Sequence, residues 1–290
     1  MSAELKEHYD THGYVIVRGL VTPSEQADLL AATDRATTRT RSGSWTHARI
    51  VGKQFPPYGA GDDVWGVQHA MHPALGEPAF ARWYAGDAVR GAAQTLLGCQ
   101  DDHLQMELFN ILVHPLRSDF ALCWHRDDIR NSADEDEERA SLQVRHYGVQ
   151  WNTALREDSS LYVVPGSHRF PRTPAQRAMS SNTIAPTDPL AMSGAIQVTL
   201  KPGETVFYNN NILHCATYST RKPRATLHAC MGDARGGSTR ARNILQHGLE
   251  WMREEAFRET LSLEGKQMQD RLVRMQEVFH DKPVEYSLEG

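Results

Sequence analysis

Roughly eight or nine short β-rich segments crowd the stretch from residue 104 to residue 231, each closed by turn residues. The residues before and after them read as helices. Together these observations predict a mainly β fold with flanking α-helices, a double-stranded β-helix or jelly roll of the cupin-like kind. At 290 residues the chain can bury a sizeable core. We expect one domain over residues 1–290: N-terminal helices and a first strand over 1–103, the jelly-roll core over 104–233, and C-terminal helices over 246–282.

Hydrophobic residues make up 40% of the chain and charged residues 23%, as in a globular protein in water. The net charge of -5 favours neither nucleic acid nor an anionic membrane as partner. No apolar run is long enough for a membrane span. The start, MSAELKEHYD, has no apolar signal core, and the end, SLEG, carries no peroxisomal address. Cys99, Cys123, Cys215 and Cys230 show no CxxC spacing and read as free thiols, which implies the cytoplasm.

Leu5 to His12 reads as a short helix closed by Gly13. Tyr14 to Arg18 is β-rich and forms a first strand. Thr22-Pro23-Ser24-Glu25 opens a second helix, with Thr22 as cap, Pro23 in the first turn and Glu25 completing a capping box; it is expected to run to about Thr37. Residues 39–69 are polar, with Gly and Pro, and read as irregular. Trp45, Trp65 and His69 within them read as packing residues that could also line a pocket. Glu77 to Leu97 is a further helical region stopped by Gly98.

Gln105 to His114 is a long apolar strand ended by Pro115, and Phe120 to His125 is the next. Asn131 to Ala140 (NSADEDEERA) reads as a solvated acidic loop whose other use would be a lid. Strands follow at Leu142 to Thr153 and at Leu161 to Val164, the latter closed by Pro165-Gly166-Ser167-His168. Residues 169–193 are expected outside the sheets. The last strands are Ala195 to Leu200, Thr205 to Tyr208, Ile212 to Tyr218 and Ala225 to Met231. The arginines of 235–242 read as a solvated loop. Leu249 to Phe279 is charged and helix-favouring, an outer packing layer or a homodimer contact.

The chemistry centres on Cys123-Trp124-His125-Arg126-Asp127. In an extended strand, residues i and i+2 share a face, so His125 and Asp127 would converge while Arg126 turns away. Two imidazoles and one carboxylate form the facial triad of non-haem Fe(II) oxygenases. His-x-Asp alone is a weak signal, and His8-Tyr9-Asp10 is a second instance in a polar helical stretch, where the two side chains diverge. His125 differs because it follows an apolar strand and has later partners. His214, after the turn Lys201-Pro202-Gly203 and its strand, supplies the third ligand. Ten residues on lies Arg224, which by alternation shares a face with Thr226, His228 and Cys230. An arginine facing into a barrel needs a paired charge, and a ligand carboxylate bound bidentately would supply it. Thr226 can add a hydroxyl hydrogen bond to that carboxylate.

His125-x-Asp127, His214 and Arg224-x-Thr226, with Val164-Pro165-Gly166-Ser167-His168 between them, resemble the Fe(II)/2-oxoglutarate-dependent dioxygenases, and most closely the phytanoyl-CoA dioxygenase family. The family's N-terminal pattern is matched by Gly13-Tyr14-Val15-Ile16-Val17-Arg18-Gly19, and the resemblance covers about residues 8 to 235. Many relatives have Arg-x-Ser where this chain has Arg224-Ala225-Thr226; a hydroxyl is kept. The resemblance implies Fe(II) on His125, Asp127 and His214. It implies 2-oxoglutarate as co-substrate, with its far carboxylate on Arg224, and O2 as oxidant. Gln105, Asn110 and Trp151 are candidates for further co-substrate contacts, whereas His168 and His228 read as structural. Because related halogenases lack the carboxylate, Asp127 favours hydroxylation, desaturation or a related C–H oxidation. A small-molecule substrate, mostly apolar or lipid-like, is expected on family analogy. The alternatives are an acyl-CoA hydroxylase of the phytanoyl-CoA type, a cupin-like hydrolase or isomerase, and a metal-binding module without oxygenase activity.

Overall fold

The computed structural model describes residues 2–282; Met1 and residues 283–290, which include the terminal SLEG, lie outside the described residues. Two helices frame the first strand. Helix α1 (Ala3–His12) ends on Gly13, whose left-handed φ of 79° suits a residue without Cβ. Strand β1 is Tyr14–Val17, and helix α2 is Pro23–Arg41 with the Thr22–Glu25 capping box in place. That helix runs one turn beyond the expected Thr37, because Thr37 and Thr40 are buried on its inner face.

Residues 39–69 are not irregular throughout. They hold an antiparallel hairpin, β2 (Ala48–Ile50) and β3 (Val64–Val67), which joins a sheet edge. Its strands are too short and its connection too polar to show in the sequence pattern. The Glu77 to Leu97 helix is two, α3 (Pro78–Tyr84) and α4 (Asp87–Leu97), divided at Gly86.

Strand β4 (Leu104–Val113) is buried along its whole length. The expected Phe120 to His125 strand shrinks to β5 (Phe120–Ala121). The acidic run is not a loop but helix α5 (Glu135–Gln143), capped by Asp134 and Glu137, with its carboxylates in the first turn where the helix dipole favours them. It takes residues expected in the next strand, so β6 is Gly148–Ala154. Then come β7 (Asp158–Val163), helix α6 (Pro174–Ser180), β8 (Ile196–Leu200), β9 (Thr205–Tyr208), β10 (His214–Tyr218) and β11 (Ala225–Asp233). The arginine-rich stretch is helix α7 (Ser238–Leu245), not a solvated loop. A short helix α8 (Glu255–Arg258) and the long α9 (Leu263–Phe279) follow.

The strands form two antiparallel sheets facing each other. The larger has the order β1-β9-β6-β11-β4-β3-β2 and the smaller β5-β10-β7-β8. The chain is thus an antiparallel double-stranded β-helix with flanking helices. Strand β11 shows how sequence becomes architecture: Ala225, Leu227, Ala229 and Met231 join the main core, while Arg224, His228 and Cys230 line a cavity on the other face. The main core lies under the helices and includes Phe80, Tyr84, Phe109, Trp151 and Phe207. Truncating a buried aromatic of this kind to alanine costs about 3–5 kcal/mol. A smaller cluster, with Ala154, Leu161, Val163 and Val206, packs between the sheets. Register shifts between Ala229 and Met231, so Glu107 and Leu108 of β4 both stand opposite Cys230. This bulge turns Leu108, Asn110 and Leu112 toward the cavity. Helix α9 lays its buried residues, Met268, Leu272 and Met275 among them, over β4 and α7.

Candidate metal centre and its pocket

The cavity between the sheets brings together one cluster of metal-type donors among the described residues: His125, Asp127 and His214. His214 opens β10, and His125 lies opposite it in an isolated bridge. Each backbone N–H donates to the other's carbonyl at 3.0 Å. Two residues on, the backbone N–H of Asp127 donates to the Asn210 carbonyl at 2.9 Å. These bonds replace the longer strand expected here and still turn both side chains inward. Asp127 Oδ1 lies 3.6 Å from His125 Nε2 and 3.9 Å from His214 Nε2.

Each imidazole is fixed from behind. His125 Nδ1 lies 2.9 Å from the Cys123 carbonyl, and His214 Nδ1 lies 2.9 Å from the Ile212 carbonyl. A carbonyl only accepts, so the proton sits on Nδ1 and the Nε2 lone pair faces the cluster. Burial, helped by neighbouring His125, pushes His214 down to about 4, so it is neutral at pH 7. Gln150 on β6 donates to Asp127 Oδ2, and Oδ1 is the oxygen nearest the imidazoles. Two imidazoles, one carboxylate and backing hydrogen bonds suit a divalent ion of the Fe(II) type.

Arg224 lines the same cavity and is 5% exposed. Its Nε donates to Asp158 Oδ2 at 2.9 Å, and the Thr226 hydroxyl donates to the same oxygen at 2.5 Å. Burial opposes both charges but the pair prevails, holding the Asp158 carboxyl below its ordinary range and Arg224 above its own. The Tyr218 ring lies 4.7 Å from the guanidinium carbon. Arg224 Nη1 and Nη2 are buried with no hydrogen-bond partner among the described residues. Two parallel N–H donors of this kind match a carboxylate.

The other expected contacts divide. Trp151 does not face the cavity: it packs in the main core against Tyr84 and Phe207. Alternation along β6 points Gln150 and Asn152 inward instead. Thr226 is committed to Asp158. Asn110 lies on the cavity side of β4, its Oδ1 accepting the His69 backbone N–H at 3.1 Å. Gln105 lies beyond the bulge, its Nε2 3.4 Å from Glu107 Oε1. His228 is more than structural packing, because it lines the cavity with its Nδ1 2.9 Å from Asn152 Oδ1. Burial, then the charges of Arg49 and Arg224, hold its pKa well below the ordinary value. His168 contacts the Asp10 carbonyl at 3.1 Å, and Trp65 packs on Tyr218. On α1, Asp10 pairs with Lys6.

Sequence reasoning missed Gln150, Asn152, Asp158 and Arg49. For the first two there was a signal, polar residues flanking Trp151 inside a buried strand. Asp158 and Arg49 gave none, since their neighbours are remote in the chain.

Fold and cluster together define the class: a cupin-like double-stranded β-helix with a two-histidine, one-carboxylate site at its cavity. The chain belongs to the phytanoyl-CoA dioxygenase (PhyH) family, whose sequence model matches residues 9–226. Comparison with curated proteins gives no match. Solved structures of similar fold include AviO1 from Streptomyces viridochromogenes Tue57, with TM-score 0.57 and 14% identity over 80% of this chain and 94% of that one. Another is EctD from S. alaskensis with 2-oxoglutarate and 5-hydroxyectoine, with TM-score 0.58 and 18% identity over 81% and 77%. A third is the epimerase SnoN with Fe3+, alpha ketoglutarate and nogalamycin RO, with TM-score 0.56 and 20% identity over 80% and 83%. Among the described residues no helix is long and apolar enough to cross a membrane.

Proposed function

We propose that the chain is a single-domain Fe(II)- and 2-oxoglutarate-dependent dioxygenase that oxidises a C–H bond of a small, mostly apolar molecule in the cytoplasm. One observation carries the reading: the paired free donors of Arg224 share a cavity with the His125–Asp127–His214 cluster. A metal alone would not need Arg224, and a carboxylate ligand alone would not need the cluster. The Fe3+ and alpha ketoglutarate of SnoN and the 2-oxoglutarate of EctD agree with it.

When bound, iron with 2-oxoglutarate and O2 supplies the oxidising power, and succinate and CO2 leave. The rest falls to the protein. His125, His214 and Asp127 would hold the metal through two imidazole nitrogens and a carboxylate oxygen. The Cys123 and Ile212 carbonyls keep both imidazoles in the ligating tautomer. Gln150 steadies Asp127. Arg224, itself held by Asp158, would orient the far carboxylate of the co-substrate. Tyr208, Tyr218, Leu112 and Leu161 wall the cavity and exclude water.

The test is an anaerobic titration with Fe(II) and then 2-oxoglutarate, following the weak visible charge-transfer band of the chelate. The wild type shows the band, His214→Ala loses it, and Arg224→Ala weakens it. A wild type that binds Fe(II) without a band overturns the co-substrate assignment.

A further inference from the structure

The cavity holds a second buried cation with no use so far. Arg49 on β2 is 6% exposed and lines the cavity with His125 and Asp127. It makes no hydrogen bond or ion pair among the described residues, and its Nε is buried without a partner. Its guanidinium carbon lies 4.7 Å from the Phe55 ring and 5.2 Å from the Trp65 ring. Aromatic faces hold a cation in place but leave its N–H edge unsatisfied. Gly66 gives the stem room, since a Cβ there would come within 3.1 Å of Arg49 Cβ and 3.2 Å of its Cδ.

A buried arginine without an anion is costly, so a site that keeps one needs a compensating ligand. Among the described residues Asp127 is the one acidic residue lining the cavity, and a bound metal would take up its charge. On the proposed function, on which this step rests, both carboxylates of 2-oxoglutarate are also accounted for, one at the metal and one on Arg224. Arg49 is left over. We propose that Arg49 is the substrate-recognition residue, and that the oxidised molecule carries a carboxylate that this guanidinium binds beside the metal. Apart from Arg224, already assigned to the co-substrate, no Arg or Lys lines the cavity with Arg49 among the described residues, which favours a singly charged carboxylate over a phosphate. Phe55, Leu122 and Cys123 border an adjoining pocket and suit an apolar body on the same molecule.

The test uses the full chain loaded with redox-silent Mn(II) and 2-oxoglutarate. Calorimetric titrations follow with benzoate, 3-phenylpropanoate and octanoate, each beside its primary amide. At least one acid should bind about tenfold or more tightly than its amide. Arg49→Met should abolish that preference, and Arg49→Lys should keep part of it. In Arg49→Met the affinity for 2-oxoglutarate should stay within about threefold of wild type, whereas Arg224→Met should lose more than about tenfold. The Arg49→Met unfolding midpoint should hold or rise, because an unpaired buried charge is removed. The inference is overturned if acids and amides bind alike, if no acid binds, or if the preference survives Arg49→Met. A loss of 2-oxoglutarate affinity equal to that of Arg224→Met assigns Arg49 to the co-substrate instead. A lower midpoint with unchanged binding marks a structural residue. A wild type that fails to take up 2-oxoglutarate at all points to the proposed function, not to Arg49, as the error.

Discussion

Arg240 of α7 and Glu107 of β4 form an ion pair in which both side chains are wholly buried. Asn243 adds a hydrogen bond to Glu107 at 2.7 Å and a contact to Cys230 at the cavity wall. The pair therefore ties the C-terminal helices to the sheet that forms the site. Breaking it by Arg240→Met strands a buried carboxylate and should cost about 3–5 kcal/mol in denaturant unfolding. Adding Glu107→Gln to that variant should recover much of the loss; no recovery would show that packing, not charge, dominates.

Gln150 should behave as a support for the metal. Gln150→Leu removes the hydrogen bond to Asp127 but keeps the volume. Metal affinity should fall about 10–100-fold by Fe(II) or Mn(II) titration. An unchanged affinity would show that the bond is incidental.

Arg224 and Asp158 separate stability from binding. Arg224→Met leaves Asp158 buried and unpaired, so both stability and 2-oxoglutarate affinity should drop. Adding Asp158→Asn should restore stability by about 2 kcal/mol or more without restoring affinity. Recovery of affinity in the double variant would remove Arg224 from the co-substrate site.

Acid should weaken the fold in a defined window. Burial holds His214 and His69 down to about 4. The unfolded chain, with histidines near 6.5, binds more protons between these values, so stability falls as pH drops from about 6.5 toward 4. Each group should remove about 2 kcal/mol by pH 5 relative to pH 7. Urea unfolding at both pH values checks this, and His69→Gln should reduce the slope.

Local signals carried what local physics decides. The Thr22–Glu25 capping box, the Gly13 stop and the alternation of Arg224, His228 and Cys230 need only neighbours in sequence. The His125-x-Asp127 pair is local in the same way, whereas His214 joins it only through the fold. Three readings failed, one of them because a remote contact decides. The charge of residues 131–140 hid a capped helix. Arg240 looked like a solvated loop residue until Glu107, far away in the chain, took its charge. Trp151 lies on the core face of β6, because the strand gives only one face to the cavity and that face carries Gln150 and Asn152. Nothing local marked Arg49, since its short strand is recognisable only against β3 and β4.

The bridge between His125 and His214 has a consequence for the life of the protein. The two imidazoles are remote in sequence and meet only when β10 is seated, so the unfolded chain offers no such site. A metal that binds only the folded form stabilises it by mass action, about 2.7 kcal/mol when free metal is a hundredfold above its dissociation constant. On the proposed function, iron supply would govern abundance as well as turnover. In iron-poor cells the empty protein would open more often and be cleared sooner by proteases.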